Sequence, residues 1–588
     1  MNPESQEVAS LMDELERVTK LDERTIEVRI RGLRAGAEVT DEPPCREFLY
    51  ELMAFTFMES SATDVSAWGT YFCPQMVFTY SDGSAREFPS LSNVNEETID
   101  FWSSRSEQTS NMLMKARYSG LVWDLCFKCT GKKPSHRFAL SSLDALLSVI
   151  ENQLYVHSID AIQKLHRAFA LGISLCNLQL VERAKNAALN LEDRISDDNM
   201  PGLWGFCFDL IVDNKRVKKT SEEEEKIVTN LEDRYSRLLS EGGLWPCECA
   251  AKRLGKYYRA RGMNDEMEKV ITSFGELSLS TAKDSPPLAA QQILRQAYSV
   301  YKQFNMNESL PKVLTELKGL GPDLIDSMLT HEFRAELPME ELLQFARGIV
   351  SGDLTQAFSR IAVHYLPSIR ESKQRLDEGI KQYPLVFSFP LNVCDWEGRV
   401  VSTVGPAETD YDGLLISQVS QDMSIYSVSL DVVLKRAIEE HSLGPQVIVE
   451  YLYASTVFPP SQRELLASGI SKYLEGDYLS ANHILTPRIE VVLRKIVEQS
   501  GGRVLKEARA GGFYLRNVDE LLCSEEMLNI FGSDICLYLR VLLSDPRGWN
   551  VRNDICHGLG VDACLSKAVS DRLVHVLLLF AQLRPKTA

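Results

Sequence analysis

Asp545-Pro546-Arg547-Gly548-Trp549-Asn550-Val551-Arg552-Asn553-Asp554-Ile555-Cys556-His557-Gly558-Leu559 lies between two long apolar stretches and decides how the C-terminal part of this 588-residue chain is read. Asp545-Pro546 stops one helix, Pro546-Arg547-Gly548 makes a turn, and Gly558 closes the segment. Within it Arg552 and His557 stand five positions apart. A neutral imidazole can take the proton of a ribose 2′-hydroxyl, and a guanidinium can hold the extra negative charge on phosphorus as that oxygen attacks, without a metal. Side chains five apart on an α-helix point about 140° away from each other. Either Arg552 belongs to the turn before the helix, or a second copy of the motif completes the site.

Outward from this segment, the hydrophobic pattern predicts a helical bundle over residues 459–588. One helix is expected from about Gln462 to Glu475 and a second from Tyr478 to Gln499, which admits Pro487 only with a kink or a break. Gly501-Gly502 ends it. A third helix is expected from Ser533 to Ser544, and the last from Asp562 to Leu583 with Leu573, Val574, Leu577, Leu578 and Leu583 on its apolar face.

The segment resembles the R-x4-6-H motif of the HEPN ribonucleases, with polar Asn553 after the arginine. Phe531-Gly532-Ser533-Asp534-Ile535-Cys536-Leu537-Tyr538-Leu539-Arg540-Val541-Leu542-Leu543-Ser544 and His483-Ile484-Leu485-Thr486-Pro487-Arg488-Ile489-Glu490-Val491-Val492-Leu493-Arg494 are similar to the C-terminal region of the endoplasmic-reticulum membrane-associated RNA degradation protein family and its bacterial relatives. Over the first 370 residues the likeness rests chiefly on Arg117-Tyr118-Ser119-Gly120-Leu121-Val122-Trp123. The resemblance implies a mainly α fold and an RNA substrate. It also implies a homodimer in which two motifs meet, and a metal-independent endoribonuclease that needs no cofactor. His557 would be the general base, Arg552 would stabilise the phosphate, and Asn553 would orient one of them. Bacterial relatives of this kind are often toxins of antiviral defence or stress response.

Other residues in the bundle are weighed beside the motif. His483 reads either as a surface residue or as a substrate contact facing the cleft of His557. Arg540 and Arg547 could contact phosphate, although Arg547 could equally serve its own turn. Glu490 and Arg494, four apart on one helix, can pair and orient the site. A second match to the pattern, Arg436-Ala437-Ile438-Glu439-Glu440-His441, has two glutamates before its histidine that would repel phosphate, and is read as an accident. The opposing reading of the whole region is an interaction scaffold, in which the bundle dimerises or docks a partner and Arg552 and His557 are satisfied structurally.

The charge is uneven. Residues 461–588 hold 16 Lys and Arg against 15 Asp and Glu, so with −18 overall the remainder carries −19. The region of the motif is therefore the part without strong repulsion for phosphate, and ordinary scatter between domains would look the same. Met1 to Glu7 has neither the basic region nor the apolar run of a secretory leader, and Leu573 to Leu583 is too short to span a bilayer. Thirteen scattered cysteines suggest reduced thiols, so a cytoplasmic protein with no membrane attachment is expected. Cys126-Phe127-Lys128-Cys129 has zinc-ligand spacing, but neither Cys247-Glu248-Cys249 nor a histidine pair completes it, and thiols without metal are expected.

Four segments are expected. Residues 1–110 form an N-terminal helical segment and 111–370 an α-helical repeat-like region, a candidate docking surface for a protein partner. In the latter, Asn190-Leu191-Glu192-Asp193-Arg194 recurs as Asn230-Leu231-Glu232-Asp233-Arg234, each followed by Gly-Leu-Trp at 202–204 and 243–245. A second echo pairs Tyr258, Met263, Asn264 and Val270 with Tyr301, Met306, Asn307 and Val313. Glu222 to Glu225 reads as a solvated loop or helix start. Residues 371–458 form a connector, with β-prone runs Leu385–Phe389 and Arg399–Val404 around a turn at Asp395–Gly398 and a helix from about Ser424 to Glu440. The bundle at 459–588 follows Pro459-Pro460.

Overall fold

The computed structural model describes residues 3–35, 43–60, 66–79, 85–328, 338–395, 397–508, 511–559 and 566–584. The fold is mainly α. Its strands form two-stranded antiparallel hairpins: Met58–Glu59 with Phe72–Cys73, Met76–Thr79 with Ala85–Phe88, Leu391–Cys394 with Val400–Val404, and Leu505–Glu507 with Phe513–Leu515. The chain divides into two compact units, residues 1–316 and 317–588. The second takes in the expected connector together with the terminal bundle.

In the first unit, helices pack on their neighbours in sequence. The second echo has a structural meaning. The Met263 amide donates to the Tyr258 carbonyl at 3.0 Å and the Met306 amide to the Tyr301 carbonyl at 2.9 Å, so both copies make the same turn out of a helix. The first echo does not repeat in this way, since Trp204 is buried and Trp245 is 63% exposed. Glu222 to Glu225 opens the helix Ser221–Glu241, where Thr220 and Glu223 form a reciprocal capping box. Arg117 is buried and donates to the Ala54 carbonyl at 2.6 Å and to Glu59 at 2.9 Å, which ties three segments together.

In the second unit one core runs from Ala346 to Ala581. Residues 346–458 and 466–581 share it, because the helix Lys567–Phe580 packs on Leu354–His364, Tyr411–Glu440 and Tyr478–Gln499. That central helix was expected to bury one face, but it is enclosed all round. Its polar side chains find partners inside: Arg572 donates to the Tyr365 and Met423 carbonyls at 3.1 and 2.8 Å, Tyr473 to Asp571 at 2.7 Å, and Ser570 to Asn482 at 2.6 Å, while Arg572 Nε has no acceptor among the described residues. Residues 562–565 of the expected helix lie outside the described residues.

The long helix Tyr478–Gln499 runs through Pro487 without a break and buries Leu485, Ile489, Val492, Leu493, Ile496 and Val497 along one stripe. The helix expected at Ser533 does begin there after Gly532, whose φ of 74° separates it from a first segment starting at Glu525. Two expectations need correction. Leu385–Phe389 forms a 3-10 turn at Val386–Ser388 instead of a strand, because Pro390 cannot donate to a ladder, and the strand starts at Leu391. The helix expected from Ser424 starts at Tyr411, where the Asp410 carboxylate caps the Gly413 amide at 2.9 Å.

Candidate functional site

The turn at Asp545 is built before the motif and holds it in place. Asp545 is buried and accepts from the Arg547 amide and Nε, both at 3.0 Å, from Arg547 Nη2 at 2.9 Å and from Arg540 Nη2 at 3.4 Å. Burial opposes its ionisation, yet these hydrogen bonds and charges hold its carboxyl below the ordinary value. Gly548 presses against the preceding helix so closely that a Cβ would clash with the Val541 carbonyl oxygen. The Trp549 amide then donates to that carbonyl at 2.8 Å.

Asn550 follows with φ 52° and ψ 24°, the left-handed region that asparagine tolerates better than most residues, and starts the short helix Val551–Cys556. Its side chain donates to Asp554 at 3.0 Å and accepts from Asn553 at 2.8 Å. Buried Val551 and Ile555, four apart, seat the helix. It ends in a Schellman turn: the Gly558 amide donates to the Ile555 carbonyl at 3.3 Å and the Leu559 amide to the Asp554 carbonyl at 2.7 Å, with Gly558 at φ 71°. His557 is the C-cap.

Arg552 therefore lies in the first turn of the helix, not in the turn before it. Its Nε donates to Glu490 Oε2 at 2.9 Å and its Nη1 to Asn553 Oδ1 at 3.2 Å. The other Glu490 oxygen accepts from Arg494. Glu490, 7% exposed, is thus a single buried carboxylate between two guanidiniums, and the group carries a net charge of +1 that favours a phosphate. The pairing of Glu490 with Arg494 is present as expected, and the link onward to Arg552 defines what that pair orients. Asn553 also donates to the Ser544 carbonyl at 3.2 Å, so it fixes Arg552 to the preceding turn.

His557 is exposed, and its imidazole makes no hydrogen bond with the described residues. It sits at the opposite end of the helix from Arg552, so one chain does not bring the two side chains onto one face. His483 is exposed too, with Nδ1 against the Leu479 carbonyl at 2.9 Å. It shares a helix stripe with Glu490 about 10 Å along the axis, and no hydrogen bond joins it to the motif residues. Arg540 and Arg547 are not brought to the motif either. Their hydrogen bonds run to Asp545 and, for Arg540 Nε, to Asp519 at 3.1 Å. Both support the turn on which Arg552 stands.

The sequence marked Asp545 only as part of a helix stop, and it assigned no role to Asn550. The signal was there, since Asp before Pro-Arg-Gly and Asn before a short helix are both turn chemistry. Cys126 and Cys129 are unpaired thiols, and among the described residues no cluster of His, Cys, Asp and Glu is arranged to hold a metal. Among those residues no helix is long and apolar enough to cross a membrane. Searches against family models, curated proteins and solved structures found nothing that matches the chain.

Proposed function

We propose that the second unit is a metal-independent endoribonuclease that cleaves RNA through attack of the ribose 2′-hydroxyl on the adjacent phosphate. The observation that carries this reading is the contrast within one short helix. Arg552 is fixed by a buried carboxylate, while among the described residues its Nη2 makes no hydrogen bond and the exposed His557 imidazole has no hydrogen-bond partner. Arg552 would hold the pentacovalent phosphate, and Asn553 and Glu490 would keep its fork oriented. His557 would take the 2′-hydroxyl proton and return a proton to the departing 5′-oxygen. The products are a 2′,3′-cyclic phosphate and a 5′-hydroxyl.

Because Arg552 and His557 lie at opposite ends of their helix, the reading needs two copies of the chain, joined so that motifs face each other across one cleft. The first unit would then regulate or target the nuclease. One observation favours the opposing scaffold reading: the Glu490 ion pair is also what a purely structural arginine would form. The exposed imidazole of His557 is what that reading leaves unexplained. Incubating the purified protein with total RNA in EDTA, beside His557→Ala, tests the proposal. Cleavage by the unaltered chain alone supports it; no cleavage by either, or equal cleavage by both, refutes it. A monomer that still cleaves would refute the dimeric site.

A further inference from the structure

The carboxylate of Glu490 holds two arginines and uses up neither. Arg552 donates from Nε to Glu490 at 2.9 Å and from Nη1 to Asn553 at 3.2 Å, so Nη2 remains. Arg494 donates to Glu490 from Nη2 alone, so Nη1 and Nε remain. Arg494 Nε is closed off from solvent without an acceptor. Arg494 Nη1 and Arg552 Nη2 differ from it: they make no hydrogen bond with the described residues yet keep accessible surface, in side chains that are 19% and 22% exposed. A ligand arriving from solvent can reach both.

Arginines that only brace this fold are bonded differently. Buried Arg117 places Nε, Nη1 and Nη2 on the Ala54 carbonyl, Glu59 and the Phe57 carbonyl. Arg547 sets Nε and Nη2 on the two oxygens of Asp545, at 3.0 and 2.9 Å. In both, the planar fork is filled from within the chain. At Glu490 two forks share one carboxylate, and each keeps an accessible nitrogen. The charge left over is positive, and an anion with several oxygens completes it.

The two arginines approach Glu490 from different helices. Arg494 stands on the same helix, about 6 Å along its axis from Glu490, and Arg552 on the short helix that packs against it. A phosphodiester held at Arg552 leaves Arg494 to the next one along the strand.

We propose that Arg494 is a substrate-binding residue, contacting the RNA phosphate beside the one that Arg552 holds, with Glu490 keeping the two guanidiniums side by side. This rests on the nuclease reading of Arg552. Its test is the binding of a labelled single-stranded RNA, 2′-O-methylated throughout and so without a nucleophile of its own, followed by fluorescence anisotropy in EDTA over a range of salt concentrations. Each phosphate contact of a single strand adds about 0.7 to the slope of log affinity against log salt. Arg494→Gln should lower that slope by about 0.7 and weaken binding about tenfold, the lower end for a hydrogen bond to a charged group. Arg494→Lys, which keeps the charge, should keep most of the slope. Arg436→Gln, which alters an arginine paired with Glu440 of its own helix, should change neither quantity. A bracing role for Arg494 would shift the melting curve and leave the slope alone. The proposal is overturned if Arg494→Gln, folded as judged by its melting curve, keeps the slope of the unaltered chain, or if the unaltered chain does not bind the strand. Cleavage of ordinary RNA, measured alongside, separates the two readings. Cutting by the unaltered chain with an unchanged slope in Arg494→Gln sinks the role of Arg494 alone, and an Arg494-dependent slope without any cutting sinks the nuclease alone.

Discussion

Arg436-x4-His441 and Arg552-x4-His557 have the same spacing, and each places its histidine at a helix C-cap. Their surroundings differ. Arg436 lies on the outer face of its helix and pairs with Glu440 of the same helix at 3.0 Å, and His441 Nε2 rests against the Val350 carbonyl at 3.2 Å. Arg552 is pinned by a buried glutamate 62 positions away, and the exposed His557 ring makes no hydrogen bond with the described residues. The difference teaches that spacing alone does not define a site. An arginine whose partner is local is a surface charge, whereas one held through the tertiary fold can be aimed.

The comparison can be broken most sharply at the histidines. His557→Ala should lower RNA cleavage by about 10²- to 10⁴-fold, the span of a lost general base, while His441→Ala leaves the rate unchanged. Initial rates on one labelled RNA would measure both, and equal losses would erase the distinction. Next comes Glu490→Gln, which leaves Arg494 and Arg552 facing a neutral amide. Discounted for the partial exposure of both arginines, the cost should be about 2 kcal/mol by denaturant titration. Cleavage should fall further than the lost fraction of folded protein accounts for.

A third effect is absent near neutral pH and appears only in acid. Burial, then the charge of Arg572, pushes the pKa of His575 down to about 3. The unfolded chain, with an ordinary histidine, binds this proton below about pH 6.5 and the folded unit does not. Stability from this group is therefore complete above pH 6.5 and is lost as the pH falls toward 3, by at most ~1.4 kcal/mol per pH unit. Melting curves of the unaltered chain and of His575→Gln across that window would measure the contribution, and identical slopes would remove it. The smallest effect should be that of Arg436→Ala, about 0.5 kcal/mol or less for an exposed pair within one helix.

Much of the bundle was legible because its helices carry strong periodic signals and turn residues at their ends. Gly558 announced the C-cap at His557, and Asp545-Pro546 the preceding stop. The pairing of Glu490 with Arg494 followed from spacing on one helix. Its extension to Arg552 was not legible, since no local pattern joins residues 490 and 552; packing of two helices does. The same holds for Arg540 and Arg547, whose attraction for phosphate could be read from charge, while their commitment to Asp545 depends on the fold. The helix start at Tyr411 was hidden by a polar run of serines and glutamines. Trp204 and Trp245 shared a motif in sequence, and only the three-dimensional neighbours of Trp204 distinguish a buried ring from an exposed one.

The central claim is that the substrate's own 2′-hydroxyl is the nucleophile, activated at His557 and stabilised by Arg552. Replacing that one hydroxyl with hydrogen at a mapped cut site, and measuring cleavage in EDTA, tests it most directly. The account predicts that cleavage at that position stops while binding of the RNA persists, because the phosphate contacts are unchanged. Cleavage of the 2′-deoxy position at an undiminished rate would contradict it.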